Sequence, residues 1–409
     1  MHLLRGAVRS YAWGSRTALA RIQGRPVPSD HPEAEIWLGA HPADSAHVVH
    51  EGGSTPLLTV IDGDPAAQLG GSAQQYESRL PYLLKLLAAE EPLSLQAHPS
   101  SAQAREGFAR ENAAGVPIDS PVRNYRDPNH KPELIVALGE FEALAGFRSP
   151  AETVELLDAL AVSALGGYRT LLAAQPDASG LRTVFTSWIT LPGQALDDIL
   201  PAVAQGCIDY LSGPARTDGG LFSAEARTLL ELGESYPGDA GVLAALLLNR
   251  ITLTAGQGLY LDAGNLHAYL RGTGVEIMAN SDNVLRGGLT PKHVDVPELL
   301  RVLDFEPSDI SPITPVDDDS STYLYPTPAP EFALSRTALA PGGTVHIDGS
   351  GPRILLCTDG TVTASTDGGQ SGLTVPQGSS AWIPAADRAV TVTADSRGAE
   401  VFVASVGRS

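Results

Sequence analysis

The sequence predicts a mainly β fold interrupted by one block of helices. Residues 1 to about 148 are short apolar runs broken by Gly, Pro and Asp, as in EAEIWLGAHPADSAHVV and PELIVALGEFEALAGF, the texture of strands and turns. At Ser149-Pro150-Ala151-Glu152 a capping box with proline at the first helical position opens SPAETVELLDALAVSAL. Further helical patterns follow in LRTVFTSWITL, GQALDDILPAVAQGCIDYL, FSAEARTLLELGESY and AGVLAALLLNR, ending near Arg250. Strand texture then returns at ITLTAGQGLYLDAG. A low-complexity linker spans Glu306 to Thr322, and beyond it alternating strands dominate, with an Asp359-Gly360 turn in RILLCTDGTVTAS. Four segments are therefore expected: 1–149 and 250–318 as two parts of one β unit, 150–249 as a helical insertion, and 319–409 as a C-terminal β unit.

Composition narrows the function classes. A chain of 409 residues exceeds the usual size of one hydrophobic core, which agrees with several units. With 43% hydrophobic and 18% charged residues and no apolar run of roughly 18 to 20 residues, a soluble protein without membrane spans is expected. The opening MHLLRGAVRSYAWGS has neither an apolar h-region nor a cleavage site, so the cytoplasm is the expected location. Cys207 and Cys357 each lie in an apolar segment and are expected as buried thiols. A formal net charge of −20 argues against nucleic acid as a partner. Against that acidity, only three of 27 basic residues are lysine: Lys85, Lys131 and Lys292. Where arginine supplies nearly every positive charge, a lysine suggests a site that needs a compact, titratable ammonium.

Two segments share a design. Gly256-QGLYL-Asp262-Ala-Gly264-NL-His267 and Gly378-SSAWI-Pro384-Ala-Ala386-DR-Ala389 align without gaps. Both resemble the second conserved motif of cupin barrels, in which a metal-binding histidine closes the pattern. The first copy keeps the histidine and has Asp262 for the proline; the second keeps the proline and has alanine for the histidine. The fold expected is thus two cupin-like (jelly-roll) β-barrels plus a helical domain, with metal in the first barrel only.

The candidate chemistry lies in SLQAHPS. Side chains two residues apart on a strand project to one face, so Gln96 and His98 can share a metal ion. His267, after a glycine-rich turn, and Glu133, before an apolar strand in DPNHKPELIVAL, complete a set of two imidazoles and two oxygens. Such a set suits one zinc ion per chain, with manganese, iron or cobalt as alternatives. His31, His41, His47, His50, His293 and His346 lack partners at ligand spacing and are expected at the surface, whereas His130 could orient a metal ligand from behind. The three lysines all fall in or beside the segments that hold the proposed ligands, and Arg286 adds a bidentate fork. A positive pocket in so acidic a chain implies an anionic, most simply phosphorylated, small ligand.

The segments YAWGS, EIWLGAHP, SLQAHP, NHKPE and GNLHAYLRGTGVEIMANSDNVLRGGLTPKHVD occur in the order found in type I phosphomannose isomerases, and to about residue 300 the chain resembles that family. The resemblance implies a zinc-dependent aldose–ketose isomerase acting on mannose 6-phosphate and fructose 6-phosphate. It implies Gln96, His98, Glu133 and His267 as metal ligands and Arg286 as catalytic, with Lys85, Ser94, Lys131, Tyr269, Glu276, Asp282 and Lys292 lining the substrate pocket. Two departures stand out: Ser100-Ser101 follows QAHP, and DAGNLH lacks the frequent proline. Moving a carbonyl from C1 to C2 requires an enediolate, so a Lewis acid and nearby cations are needed for the developing charge. Arg286 is expected to stabilise the enediolate, and Lys85, Ser94 and Lys292 to hold the phosphate. Lys131 is the candidate base, with Glu276 or a water on the metal as rivals. A monomer is expected. Two other classes remain open at this point: a non-catalytic cupin sugar-phosphate-binding module and a metal-dependent cupin oxygenase.

Overall fold

In the computed structural model, residues 1–213, 220–317, 321–366 and 372–407 are described, so the expected boundary at 318/319 lies outside the described residues. Two antiparallel sheets account for the strand texture at both ends of the chain. In one, Gly258–Leu261, Glu133–Phe147, His267–Ala279, Tyr82–Ala89, Glu35–Leu38 and Ala7–Arg9 lie side by side. Leu95–Ala97 joins it through His267 and pairs on its other side with Leu285–Gly288. Tyr82–Ala89 is buried along its whole length, as expected of a near-continuous apolar run in the middle of a covered sheet. Lys85 is the one charge in it, and a charge in such a strand requires a partner.

Helices fill most of the interval from Pro150 to Ala245. The first starts where the sequence signals it: Ser149 Oγ accepts the Glu152 N–H at 3.2 Å and donates to the Glu152 carboxylate at 3.1 Å. The apolar faces of these helices share one core with Leu95, Ala97, Leu144, Phe147, Leu266 and Leu285. Leu95, Ala97 and Leu285 flank Gln96 and Arg286 on their strands, Leu266 directly precedes His267, and Leu144 and Phe147 come from the strand that starts at Glu133. Strand alternation thus converts helix packing on one side into a fixed polar row on the other.

The first β segment also contains short helices that its strand texture did not reveal, including Ala18–Ile22, Leu57–Gly63 and Ser101–Ala113. The last explains the first serine after QAHP. Ser100 Oγ accepts the Gln103 N–H and Gln103 Oε1 accepts the Ser100 N–H, a complete capping box.

The second sheet is built mainly from residues beyond 316, but His2–Arg5 pairs with Ser380–Ile383 and with His47–His50, which pairs with Gly53–Pro56. N-terminal residues placed by sequence in the first unit therefore extend the sheet of the last. The gapless alignment of the two motifs also has a structural counterpart. Gly258–Leu261 and Ser380–Ile383 occupy corresponding positions, and the strands after them begin at the corresponding His267 and Ala389. Leu261 faces Glu133 and Ile383 faces Arg353 in register. Where one sheet has a carboxylate and an imidazole, the other has a guanidinium and a methyl group.

The turn before His267 has little tolerance. Gly264 has φ +79°, its N–H donates to the His98 carbonyl at 2.9 Å and its carbonyl accepts from Asp304. An added Cβ would meet Asp304 and the Val302 carbonyl at 3.1 Å. Gly264→Ala is expected to destabilise the protein by about 1–2 kcal/mol, since an L-residue at positive φ costs about that much, and to weaken zinc binding as well, because the same turn spaces His98 from His267. Chemical denaturation and zinc titration check the two effects.

Candidate metal centre

Register builds the site. Gln96 pairs directly with His267 on one side and with Arg286 on the other. Directly opposed residues of antiparallel strands project to one face, so these three side chains form a cross-strand row. A second row runs from Trp37 through Lys85 to Glu276.

Glu133 is the focus. Its two carboxylate oxygens lie 3.4 Å from His98 Nε2 and 3.5 Å from His267 Nε2, and all three residues are buried. Each imidazole directs its other nitrogen to a backbone carbonyl: His98 Nδ1 donates to Asn283 O at 2.7 Å and His267 Nδ1 to Asn265 O at 3.1 Å. That fixes the tautomer and leaves both Nε2 lone pairs free. His98 Nε2 has no hydrogen-bond partner although it is buried. Ligand atoms of a tetrahedral zinc at about 2.1 Å are about 3.4 Å apart, the spacing seen here. The donor set fits a zinc ion.

The electrostatics agree. Burial, the largest influence, pushes the Glu133 carboxyl up, but Lys131 and the two histidines together outweigh it and hold it well below the usual carboxylate range. Lys131 Nζ is 3.1 Å from Glu133. Burial, with Lys131 and His267 adding to it, pushes His98 down to about 4 against the pull of Glu133, so its ring is neutral and free to act as a ligand.

Lys85 lies between two carboxylates, 2.8 Å from Glu276 and 3.2 Å from Glu35. Burial disfavours its charge, yet Glu276, Glu35 and Glu133 prevail and raise it above the ordinary lysine value. Burial also pushes the Glu276 carboxyl up, against Lys85, and Tyr269 donates its hydroxyl to Glu276 at 2.9 Å. Glu35 further accepts from the Trp37 indole at 2.8 Å. Arg286 is half-buried, and burial followed by the charge of Arg126 lowers its pKa; burial, Arg286 and Arg126 do the same to Lys292. Ser94 is half-buried immediately before the Leu95–Ala97 strand.

The structure thus brings His98, Glu133 and His267 together, sets Gln96 beside them, and places Lys131, Arg286, Lys85, Glu276 and Tyr269 around the cluster. Three further residues were not legible. Glu35 reads as one alternating position of a strand. Arg126 is one arginine among many, although it shares the NYRDPNHKPE segment with Lys131. His41, expected at the surface, is only 3% exposed, because the turn after its strand folds it under Asp282. His130 does not orient a metal ligand: its Nε2 lies 2.7 Å from Glu331.

The family model described as phosphomannose isomerase type I, catalytic domain, matches residues 1–150, and the one described as phosphomannose isomerase type I C-terminal matches residues 323–367. Mannose-6-phosphate isomerase of Escherichia coli K12 is 39% identical over 406 residues, covering 98% of this chain and 99% of that protein. The chain belongs to the type I phosphomannose isomerase family. The human mannose-6-phosphate isomerase is 32% identical, with 91% and 90% covered. A crystal structure of mannose 6-phosphate isomerase from Salmonella typhimurium, bound to substrate and a zinc atom, superposes with a TM-score of 0.89 at 35% identity, each chain covered in full. Family membership therefore extends over the last ninety residues as well, where the sequence shows only texture.

Acid should unlock the metal-free site. His98 is neutral in the fold and takes a proton on unfolding near its ordinary value of 6.5, so its contribution is complete above that pH and is lost as pH falls towards about 4. That amounts to about 3 kcal/mol. Glu133, held below its ordinary value of 4.5, loses its contribution as pH falls through its lower folded value, which is the same direction. Thermal melts of metal-free protein should fall steadily below about pH 6.5, and His98→Gln should flatten the upper part of that decline.

Proposed function

We propose that this chain is a zinc-dependent aldose–ketose isomerase that interconverts D-mannose 6-phosphate and D-fructose 6-phosphate through an enediolate. The observation that carries the proposal is the pair of free Nε2 atoms facing the Glu133 carboxylate at zinc-ligand spacing. Gln96, His98, Glu133 and His267 hold one zinc per chain. Bound there, zinc supplies Lewis acidity to the sugar's carbonyl and hydroxyl oxygens.

The chain's own groups divide the remaining work. Arg286, next to Gln96 in register, stabilises the negative charge of the enediolate. Lys131, beside Glu133, transfers the proton between C1 and C2. Lys85, an ammonium held by two carboxylates, keeps its proton and donates to the sugar with its neighbours Glu276 and Tyr269. The same two carboxylates repel a phosphate, so the phosphate is assigned to Lys292 and Ser94, with Arg126 added, instead of to Lys85. Asp282 faces the sugar.

The finer architecture belongs to the same proposal: two cupin-like barrels, residues 1–149 with 250–318 forming the metal-bearing one and 319–409 the metal-free one, and a helical domain at 150–249. Residues 2–5 and 47–56 are reassigned to the second barrel. The matching registers of Leu261 with Glu133 and Ile383 with Arg353 support this division. A monomer in the cytoplasm without a nucleic-acid partner completes it; Cys207 and Cys357 are buried free thiols, which suits a reducing compartment, and no described helix is long and apolar enough to cross a membrane.

A coupled assay with mannose 6-phosphate should show fructose 6-phosphate formed with zinc present and none after chelation. Turnover that requires dioxygen, or binding without turnover, would favour the oxygenase or the binding module. Arg286→Ala should lower kcat by about 100-fold or more, the usual loss when one electrostatic stabiliser is removed; near-full turnover would take Arg286 out of that role. Glu276→Gln against Lys131→Ala identifies the base: the variant lacking it fails to exchange the C2 proton with solvent deuterium.

A further inference from the structure

The segment EIWLGAHP contributes more than a strand to the site. We propose that His41 is a positioning residue that fixes the Asp282 carboxylate at the mouth of the metal-centred pocket, so that Asp282 presents its second oxygen to a hydroxyl of the sugar substrate. The inference rests on the isomerase reading above and adds a residue to it.

The geometry is specific. His41 is 3% exposed, and its ring sits edge-on to Trp37 with centroids 4.8 Å apart. Its Nδ1 accepts the Ala43 N–H at 3.1 Å. A ring whose Nδ1 is an acceptor carries its proton on Nε2, and Nε2 lies 3.3 Å from Asp282 Oδ1. The proton-bearing nitrogen of His41 thereby faces one oxygen of one carboxylate at ion-pair distance. The Asp282 backbone is fixed independently: its N–H donates to Asp127 at 2.8 Å, and the carbonyl of the next residue, Asn283, receives the Nδ1 proton of the metal ligand His98. The Asp282 side chain is 46% exposed. Among the described residues His41 is the one side chain that holds this carboxylate, whose remaining lone pairs face solvent. Contact with His41 is also the largest influence holding Asp282 below the usual aspartate range, against burial and ahead of the charges of Lys131 and Arg126. An ionised acceptor with one oxygen pinned and the other free is suited to a sugar hydroxyl. Pinning lowers the entropy lost when the sugar binds.

A hydroxyl contact of this kind is made in both the ground and transition states, so its loss appears in KM and not in kcat. His41→Ala should raise KM for mannose 6-phosphate by about tenfold, the loss expected for one hydrogen bond to a charged partner, with kcat and zinc content unchanged. His41→Gln places an amide N–H where Nε2 stood and should recover most of the KM. Both variants remove the ring from Trp37, so a merely structural role predicts equal losses in the two. In an Asp282→Ala background His41→Ala should add nothing further. An unmoved KM, an equal loss in the Ala and Gln variants, or the same fold-rise with and without Asp282 overturns the proposal. Wild-type turnover in the same assay tests the isomerase reading separately. Should wild type bind mannose 6-phosphate without turning it over, calorimetry on the same variants reads the same differences in affinity.

Discussion

A buried carboxylate between two imidazoles is the constraint on which the rest of this structure depends. Glu133 is buried, and a lone carboxylate there would cost several kcal/mol. The fold meets part of that cost with Lys131 and, by having each imidazole donate backwards to a backbone carbonyl, turns the Nε2 lone pairs of His98 and His267 towards the same carboxylate. The carboxylate and the two free lone pairs are what a divalent cation completes. The turn at Gly264, the bonds from Asn283 and the packing of helices behind Leu95 and Leu285 all serve to hold those three groups at fixed separation.

A second charge cluster stands beside the first and differs in kind. Lys85 is neutralised by Glu276 and Glu35 and stays protonated, so it is a fixed donor. Arg286 and Lys292, by contrast, are pressed down by burial and by other cations. The charged groups therefore divide into a paired cluster around Lys85 and a group of cations with no acidic partner among the described ion pairs. A sugar phosphate has the same division, with a polyhydroxyl chain at one end and a dianion at the other.

Much of this was legible in the sequence because the site is built on strands. Alternation alone put Gln96 and His98 on one face, and the scarcity of lysine singled out Lys85, Lys131 and Lys292 before any geometry was known. The helical block announced itself through the Ser149 cap. The parts that escaped depend on long-range register. Nothing local says that Lys85 pairs with Glu276 across nearly two hundred residues, or that His41 folds under Asp282. The swap of His2–Arg5 into the distant sheet is equally non-local. Ser100 escaped for another reason: its capping box with Gln103 was present in the sequence but was overshadowed by the motif before it. The two sheets also differ at one matching register position. Arg353 stands in register where Glu133 stands, and its guanidinium donates to the carbonyls of Ile347, Asp387 and Arg388. A side-chain cation there ties together the surrounding backbone.

The central claim is that one zinc ion sits among Gln96, His98, Glu133 and His267. Anomalous diffraction at the zinc edge, from crystals of zinc-loaded protein, tests it most directly. The expected result is a single strong peak about 2.0–2.2 Å from the two Nε2 atoms and from a Glu133 oxygen. A peak placed elsewhere, or a site occupied without Glu133, would contradict it.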